Sequence, residues 1–433
     1  MPELDAASVP PIIGRVRNTS RRSPIASFRL TGYVGSDVAA TETMMMTIPA
    51  PAHYDAVRIT GYSDNAASRA TQKISVAPSS RYNNGWQPLD AAGSNQAFTP
   101  VTFGTTDATN PRNPGGGAST GTQPAATGDT ATNKNLIESQ MSSDWVFVSS
   151  LARLDFPTKK PLLFIRGYGL EQAAVSLPPT ITNGIANAIS NVVPDFYCGY
   201  WSGDQTASIP GGAPTGGWMP GLRVDFLLRG TLCNNIALAG ASLNQGYNPS
   251  NCVPYWGGRH NGWLRKACAI LDQTVPTSYV DLCAPSQVTR LHYERAMNAV
   301  LLGNLTHLFY EGWCDNSPTT AAEGTQSIIW INNLIMACAA KGITFVGLRT
   351  FSQAGQGSAA RVAVDAYWDN YAAVGGLVWN PGRLICNPSQ VLNPTYYNLL
   401  ADGVTPADIY HPNEAAHNIS ALDLVANRNV LGL

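Results

Sequence analysis

The sequence predicts an α/β domain built on a parallel sheet over residues 230–433, preceded by an all-β sandwich of jelly-roll type over residues 1–229. Three observations carry this reading. The chain has 433 residues, more than one hydrophobic core usually organises. Up to about residue 229, short apolar or alternating runs lie between turn residues, which is the grammar of an all-β domain. After Thr231, apolar runs alternate with segments of helical spacing, which implies parallel strands covered by helices on both faces.

In the first half, strands are read at 26–34, 54–62, 72–76, 144–148, 161–168 and 221–228. Between 105 and 132 the composition falls to Gly, Thr, Ala, Asn and Pro with almost no large apolar residue, so a long exposed loop is expected there. In the second half, 232–239 is an apolar run ending in small residues, and 262–271 and 288–302 have helical spacing. A further buried run at 305–310 precedes a long helical segment at 321–341; Gly342 suits its C-cap, and 343–348 reads as the next strand.

Charged residues make up 13% of the chain and the formal net charge is -1. No long-range field gathers phosphate backbones or anionic headgroups, so nucleic acid is not an expected partner. Apolar stretches are broken well before the roughly 20 residues a bilayer span needs, so no membrane partner is expected. Residues 1–14 carry Glu3, Asp5 and prolines and lack the basic start and apolar core of a secretory signal. Retention inside, association with a virion, or export by another route all remain open, as does homo-oligomerisation. Eight cysteines are scattered without a CxxC pair, which argues against zinc and against a dense disulfide framework; buried thiols are expected, and no metal site.

In an open α/β sheet, functional groups collect beyond the carboxyl ends of the strands. Three such places stand out. After the first strand comes Gly240-Ala241-Ser242-Leu243-Asn244-Gln245-Gly246, a small-residue turn that can present a serine hydroxyl at the sheet edge. After the run at 305–310 comes Glu311-Gly312-Trp313-Cys314-Asp315-Asn316, which brings polar side chains to the same edge. Near the C-terminus lies Asp408-Ile409-Tyr410-His411-Pro412-Asn413, with His417 beyond it. An aspartate three residues before a histidine can hold the imidazole tautomer while the ring faces a serine elsewhere.

These three segments, in this order, resemble the SGNH (GDSL-like) hydrolases, whose serine, glycine and asparagine blocks are followed by a terminal Asp-x-x-His block. The resemblance covers roughly residues 231–433, and the continuation Pro412-Asn413 strengthens it. It implies a flavodoxin-like three-layer α/β/α domain and ester hydrolysis without a cofactor. Ser242 is then the nucleophile, His411 the base and Asp408 its orienting carboxylate. The oxyanion would be held by the backbone of Ser242 and Ser286, with Asn316 or Asp315 from the asparagine block. The sequence departs from the family at three points. Ala241 stands where the serine block has aspartate, Ser286 where the glycine block has glycine, and strict alignment puts Cys314 at the asparagine, with Asp315 and Asn316 following. A second serine-like block at Gly203-Asp204-Gln205-Thr206 has glutamine at the nucleophile and would imply a silent member.

An aromatic and polar run from Tyr247 to Trp263 includes Trp256 and His260; with Trp313, these residues are candidates for stacking on a sugar or lining an acyl pocket. An acylated carbohydrate, with acetyl removal as the reaction, is the expected substrate class. A lipid or polyester esterase, and a non-catalytic structural or glycan-binding component of a virion or surface assembly, are the alternatives.

Overall fold

The structure is a computed structural model, and it describes residues 22–29, 33–34, 42–63, 73–79, 81–83, 87–89, 94–101, 139–147, 162–168, 172–174, 197–207, 219–220, 222–246, 262–283, 288–350 and 357–433. The chain divides into two compact units, Pro24–Cys233 and one dominated by Asn234–Leu433. The segment 105–132 lies outside the described residues, as do Tyr247, Trp256, His260 and Ser286.

The first unit is built from antiparallel strands. One sheet joins Val146–Phe147, Tyr54–Ser63, Leu222–Leu228 and Ile25–Arg29 in that order, with Ser139–Ser142 also paired to Tyr54–Ser63. A second runs Tyr197–Ser202, Glu42–Pro49, Leu162–Tyr168, Lys73–Ser79 and Thr99–Pro100. Met45, Ala77, Leu162, Phe164 and Trp201 form an apolar cluster on the second sheet. On the first sheet, Asp225 is fully buried yet well satisfied: Ser27 Oγ donates to it at 2.6 Å, Arg58 Nη2 at 2.6 Å and Arg223 Nε at 2.9 Å. Burial opposes its ionised form, but the two guanidinium groups outweigh that and hold its carboxyl below the usual range.

The second unit is a five-stranded parallel sheet. Its strands are β1 (Asn234–Ala239), β2 (Thr277–Asp281), β3 (His307–Glu311), β4 (Thr344–Leu348) and β5 (Leu377–Trp379), in the spatial order β2-β1-β3-β4-β5. β1 to β4 are buried along their whole length, as a sheet covered on both faces requires. The helices are α1 (Ser242–Gln245), α2 (Trp263–Leu271), α3 (Thr289–Leu302), α4 (Ala321–Lys341), α5 (Ala359–Ala373), α6 (Glu414–Ala426) and the single turn α7 (Arg428–Leu431). Given this strand order, the right-handed crossovers usual for parallel strands place α2 on one face and α3 to α5 on the other; α6 packs against α2, and α4 lies between α3 and α5. This is the flavodoxin-like strand order, and its direction reverses between β1 and β3, the switch point where such sheets bind ligands.

Local chemistry sets the element ends. The Thr320 hydroxyl accepts the Glu323 N–H at the start of α4, and Gly342 ends that helix in the left-handed region at φ 66°. The core beneath β3 and β4 gathers Tyr310, Trp313, Ile331, Phe345, Val364 and Trp368. Gly347 is required there for space, because a Cβ would lie 2.5 Å from the Trp368 ring. Among the described residues, no helix is long and apolar enough to cross a membrane, and no group of three His, Cys, Asp or Glu side chains could hold a metal ion.

Candidate active site

β1 ends at Ala239, level with Tyr310 of β3, so the chain leaves the sheet at the switch point through Gly240 and Ala241. Ala241 is extended (φ -85°, ψ -171°) and Ser242 begins α1, which Gly246 closes at φ 86°. This strand-turn-helix sequence leaves the Ser242 hydroxyl and its first-turn N–H at the carboxyl edge of the sheet. Ser242 is 7% exposed.

The C-terminal segment supplies the partners. Ser242 Oγ lies 2.8 Å from His411 Nε2, and His411 Nδ1 lies 2.6 Å from Asp408 Oδ2. Asp408 closes the short strand Pro406–Asp408, which pairs with Asn398–Leu399. Its Oδ1 accepts the N–H of Tyr410 at 2.7 Å and of His411 at 3.1 Å, and Asn398 Nδ2 donates to the His411 carbonyl at 2.8 Å. Burial raises the cost of ionising Asp408, but the imidazole and the two backbone N–H groups outweigh it, and the carboxyl is held below its usual range. The segment is then pinned by α6: Asn413 caps it by accepting the Ala416 N–H at 3.1 Å.

His417 has a different task. Its Nδ1 accepts the Trp263 N–H at 3.1 Å, satisfying a first-turn amide of α2. Burial, then the charges of Lys266 and His411, push its pKa down to about 3, so it stays neutral. Trp263 Nε1 in turn donates to Asn244 Oδ1 at 3.0 Å.

The asparagine-block residues separate. Cys314 is buried, and its sulfur meets Ser317 Oγ at 3.3 Å and Thr289 Oγ1 at 3.5 Å; it is packed into the α3 side and burial pushes its thiol up to about 12. Asp315 lies within electrostatic reach of His411; burial raises its pKa, and the charges of His411 and Arg361 pull against that rise. Asn316 is exposed, and its Nδ2 donates to Asp315 Oδ1 at 3.4 Å. The expectation that Trp313 presents its ring to a substrate is corrected: it is fully buried in the core, and its Nε1 donates to the Pro318 carbonyl at 3.2 Å. Gly312 serves the same core, where a Cβ would meet Ile331, Val364 and Trp368 at 2.8–2.9 Å.

The second serine-like block, which glutamine at the nucleophile position already disfavours, lies in the first unit. Asp204 accepts from Thr206 Oγ1 at 2.6 Å and pairs with Lys73 Nζ at 2.6 Å, in a turn that follows the antiparallel strand Tyr197–Ser202 of the first unit.

Glu311 is a site residue whose role the sequence does not reveal. It ends β3, is fully buried, and its Oε2 accepts the Ala241 N–H at 2.8 Å. Burial pushes its pKa up to about 7, against the pull of the Ala241 N–H. The long separation of 70 positions between the two residues explains why neither segment alone reveals the contact.

No protein-family model and no curated protein matches the chain. Solved structures to which it is similar include a protein from Desulfitobacterium hafniense assigned to the lipolytic G-D-S-L family, at 16% identity, 45% of this chain, 98% of that chain and a TM-score of 0.33. Another is a lipase/acylhydrolase from Enterococcus faecalis, at 13% identity, 45% and 95% coverage and a TM-score of 0.33. A psychrotrophic esterase from Pseudoalteromonas sp. is similar at 12% identity, 45% and 98% coverage and a TM-score of 0.31.

Proposed function

We propose that the Asn234–Leu433 unit is a serine ester hydrolase of SGNH type. The observation that carries this reading is the unbroken contact chain from Ser242 Oγ to His411 Nε2 at 2.8 Å and from His411 Nδ1 to Asp408 Oδ2 at 2.6 Å. Asp408 keeps the proton on Nδ1, which leaves Nε2 as the acceptor facing the hydroxyl. Ser242 Oγ attacks the ester carbonyl while His411 Nε2 takes its proton. The same proton passes to the departing alcohol, and an acyl-enzyme remains on Ser242. Water, deprotonated by His411, then releases the acid. The Ser242 N–H, with those of Ser286 and the side chain of Asn316, receives the charge that develops on the carbonyl oxygen.

The substrate we assign is an acylated carbohydrate, with acetyl as the acyl group and the first unit, read as a β-sandwich, as its companion module. Support for the sugar comes from the aromatic and amide-rich run that contains Tyr247, Trp256 and His260. Hydrolysis of acetylated glycan faster than long-chain esters is the expected result; the reverse preference favours a lipid or polyester esterase.

The test of the reaction is labelling by a fluorophosphonate probe. Wild type is expected to label, and Ser242→Ala and His411→Ala are expected not to. Labelling that survives Ser242→Ala identifies another nucleophile, and a wild type that neither labels nor hydrolyses esters favours the structural or glycan-binding alternative. Asn316→Ala is expected to slow acylation about a hundredfold, the size of one lost oxyanion donor; unchanged turnover removes Asn316 from the hole.

A further inference from the structure

Behind the serine turn lies a carboxyl that the proposed reaction does not use. Glu311 is 0% exposed, its Oε2 accepts the Ala241 N–H at 2.8 Å, and a Cβ on Gly240 would sit 2.9 Å from that same oxygen. The turn therefore rests directly on the carboxyl, with Gly240 shaped to admit it. On the other side of Gly240, Asn244 Nδ2 stands 3.0 Å from the same Cβ position, and Asn244 Oδ1 is held by Trp263 Nε1. The Asn244 and Thr350 side chains also reach the buried carboxyl and favour its ionised form. A buried carboxyl is costly to a fold, and the hydrogen bond it accepts at 2.8 Å comes from the residue that precedes the nucleophile.

We infer that Glu311 is a positioning residue for Ser242: by anchoring the Ala241 N–H from the end of β3, it fixes the direction in which the Ser242 N–H and Oγ leave the turn. This inference rests on the hydrolase reading above. Ala241 and Ser242 share a peptide unit, so a rotation of the Ala241 backbone moves the proposed oxyanion donor and the nucleophile together. An ionised carboxylate holds an N–H more strongly than a neutral acceptor does, so the anchor tightens as Glu311 loses its proton. The titratable groups around it are Asp315 and Cys314 beyond β3, Tyr310 on β3 and Cys283 after β2. Burial pushes the two thiols and the phenol upward, so among these Glu311, at about 7, is the group that exchanges its proton near neutrality.

The experiment compares wild type, Glu311→Gln and Glu311→Leu by rate of fluorophosphonate labelling, by kcat and KM on a soluble ester, and by hydrogen exchange of the peptide containing Ala241. Gln keeps a neutral acceptor of the same shape, and Leu removes it. Leu is expected to lower labelling rate and kcat at least about tenfold with KM little changed, and to speed exchange at the turn. Gln is expected to match wild type below about pH 6 and to fall several-fold behind it above about pH 8, where only wild type gains the charge-assisted bond. A Leu variant that labels at the wild-type rate, or a Gln-to-wild-type ratio that does not change with pH, overturns the inference. If Leu fails to fold, the pH course of the Gln variant decides alone. A wild type that never labels but shows a protected turn that Leu deprotects sinks the hydrolase reading while leaving the anchor in place.

Discussion

Asp408 grips His411 with both carboxylate oxygens: Oδ2 meets ring Nδ1 at 2.6 Å, and Oδ1 accepts the backbone N–H of the same residue at 3.1 Å. The first contact selects the tautomer and the second fixes the backbone that carries the ring. Asp408→Asn keeps the shape but offers an amide that can turn its donor toward Nδ1, so kcat is expected to fall on the order of a thousandfold with the fold intact. Because the pKa of Asp408 is depressed in the fold, its grip is complete above the ordinary value of about 3.9 and is lost as pH falls through the depressed one. Labelling kinetics of wild type and Asp408→Asn across pH check this, and an Asn variant within about tenfold of wild type would show that the carboxylate is not orienting the ring.

Glu311 gives the opposite pH course. Its pKa is raised from 4.5 to about 7 because burial disfavours the charge. A carboxyl raised in this way favours the fold fully below its unfolded value, and that advantage is lost as pH rises through about 7. Wild type is therefore expected to lose thermal stability between about pH 4.5 and 7.5, by up to about 3 kcal/mol, and Glu311→Gln to lose less. Thermal denaturation across that range measures it; parallel curves for the two proteins contradict the assignment. The Gln variant is thus the more stable and the less active of the pair at high pH, a trade-off familiar where a strained group serves a site.

Strong apolar runs were legible as strands wherever burial followed the run itself: 161–168 corresponds to Leu162–Tyr168, and 343–348 to Thr344–Leu348. β2 was not legible, because Thr277, Ser278 and Asp281 break its apolar character. The fold buries them by giving each a partner: Ser278 donates to Asn235 Oδ1, and Asp281 accepts the Cys283 N–H at 2.9 Å. Glu42–Pro49 escaped because its centre is a run of three methionines, which gives no period-two alternation, until two neighbouring strands pair with it. At the site, the Asp408 and His411 spacing could be read locally, whereas the inward turn of Trp313 and the reach of Glu311 to Ala241 depend on how β1 and β3 lie side by side.

In the first unit, the stability of the sheet containing Asp225 depends on a single buried acid. Arg58 and Arg223 both donate to it, and Ser27 completes its shell. Asp225→Ala leaves a guanidinium buried without its counter-charge, a situation that costs about 3–5 kcal/mol in other folds. Chemical denaturation at neutral pH is expected to show a loss of that size. A loss below about 1 kcal/mol means that water or a side-chain rearrangement replaces the carboxylate.

Gly262 ties the stability of the second unit to the placement of its nucleophile. Its backbone is ordinary (φ -70°, ψ 169°), so any residue could adopt it, but a Cβ there would lie 2.2 Å from the Asn244 carbonyl oxygen and 2.9 Å from the Gln245 carbonyl carbon. Both are backbone atoms, so no side-chain rotation relieves the clash, and α2 must move away from α1, whose first residue is Ser242. Gly262→Ala is expected to destabilise by about 1–3 kcal/mol and to slow fluorophosphonate labelling about a hundredfold. Gly303→Ala is the control: it has open space around it and a φ of 83°, so alanine there is strained without touching α1. A labelling rate preserved in Gly303→Ala but lost in Gly262→Ala, at similar loss of stability, ties the defect to the α1–α2 approach. Equal loss in both variants would instead mean that labelling simply follows the stability of the fold.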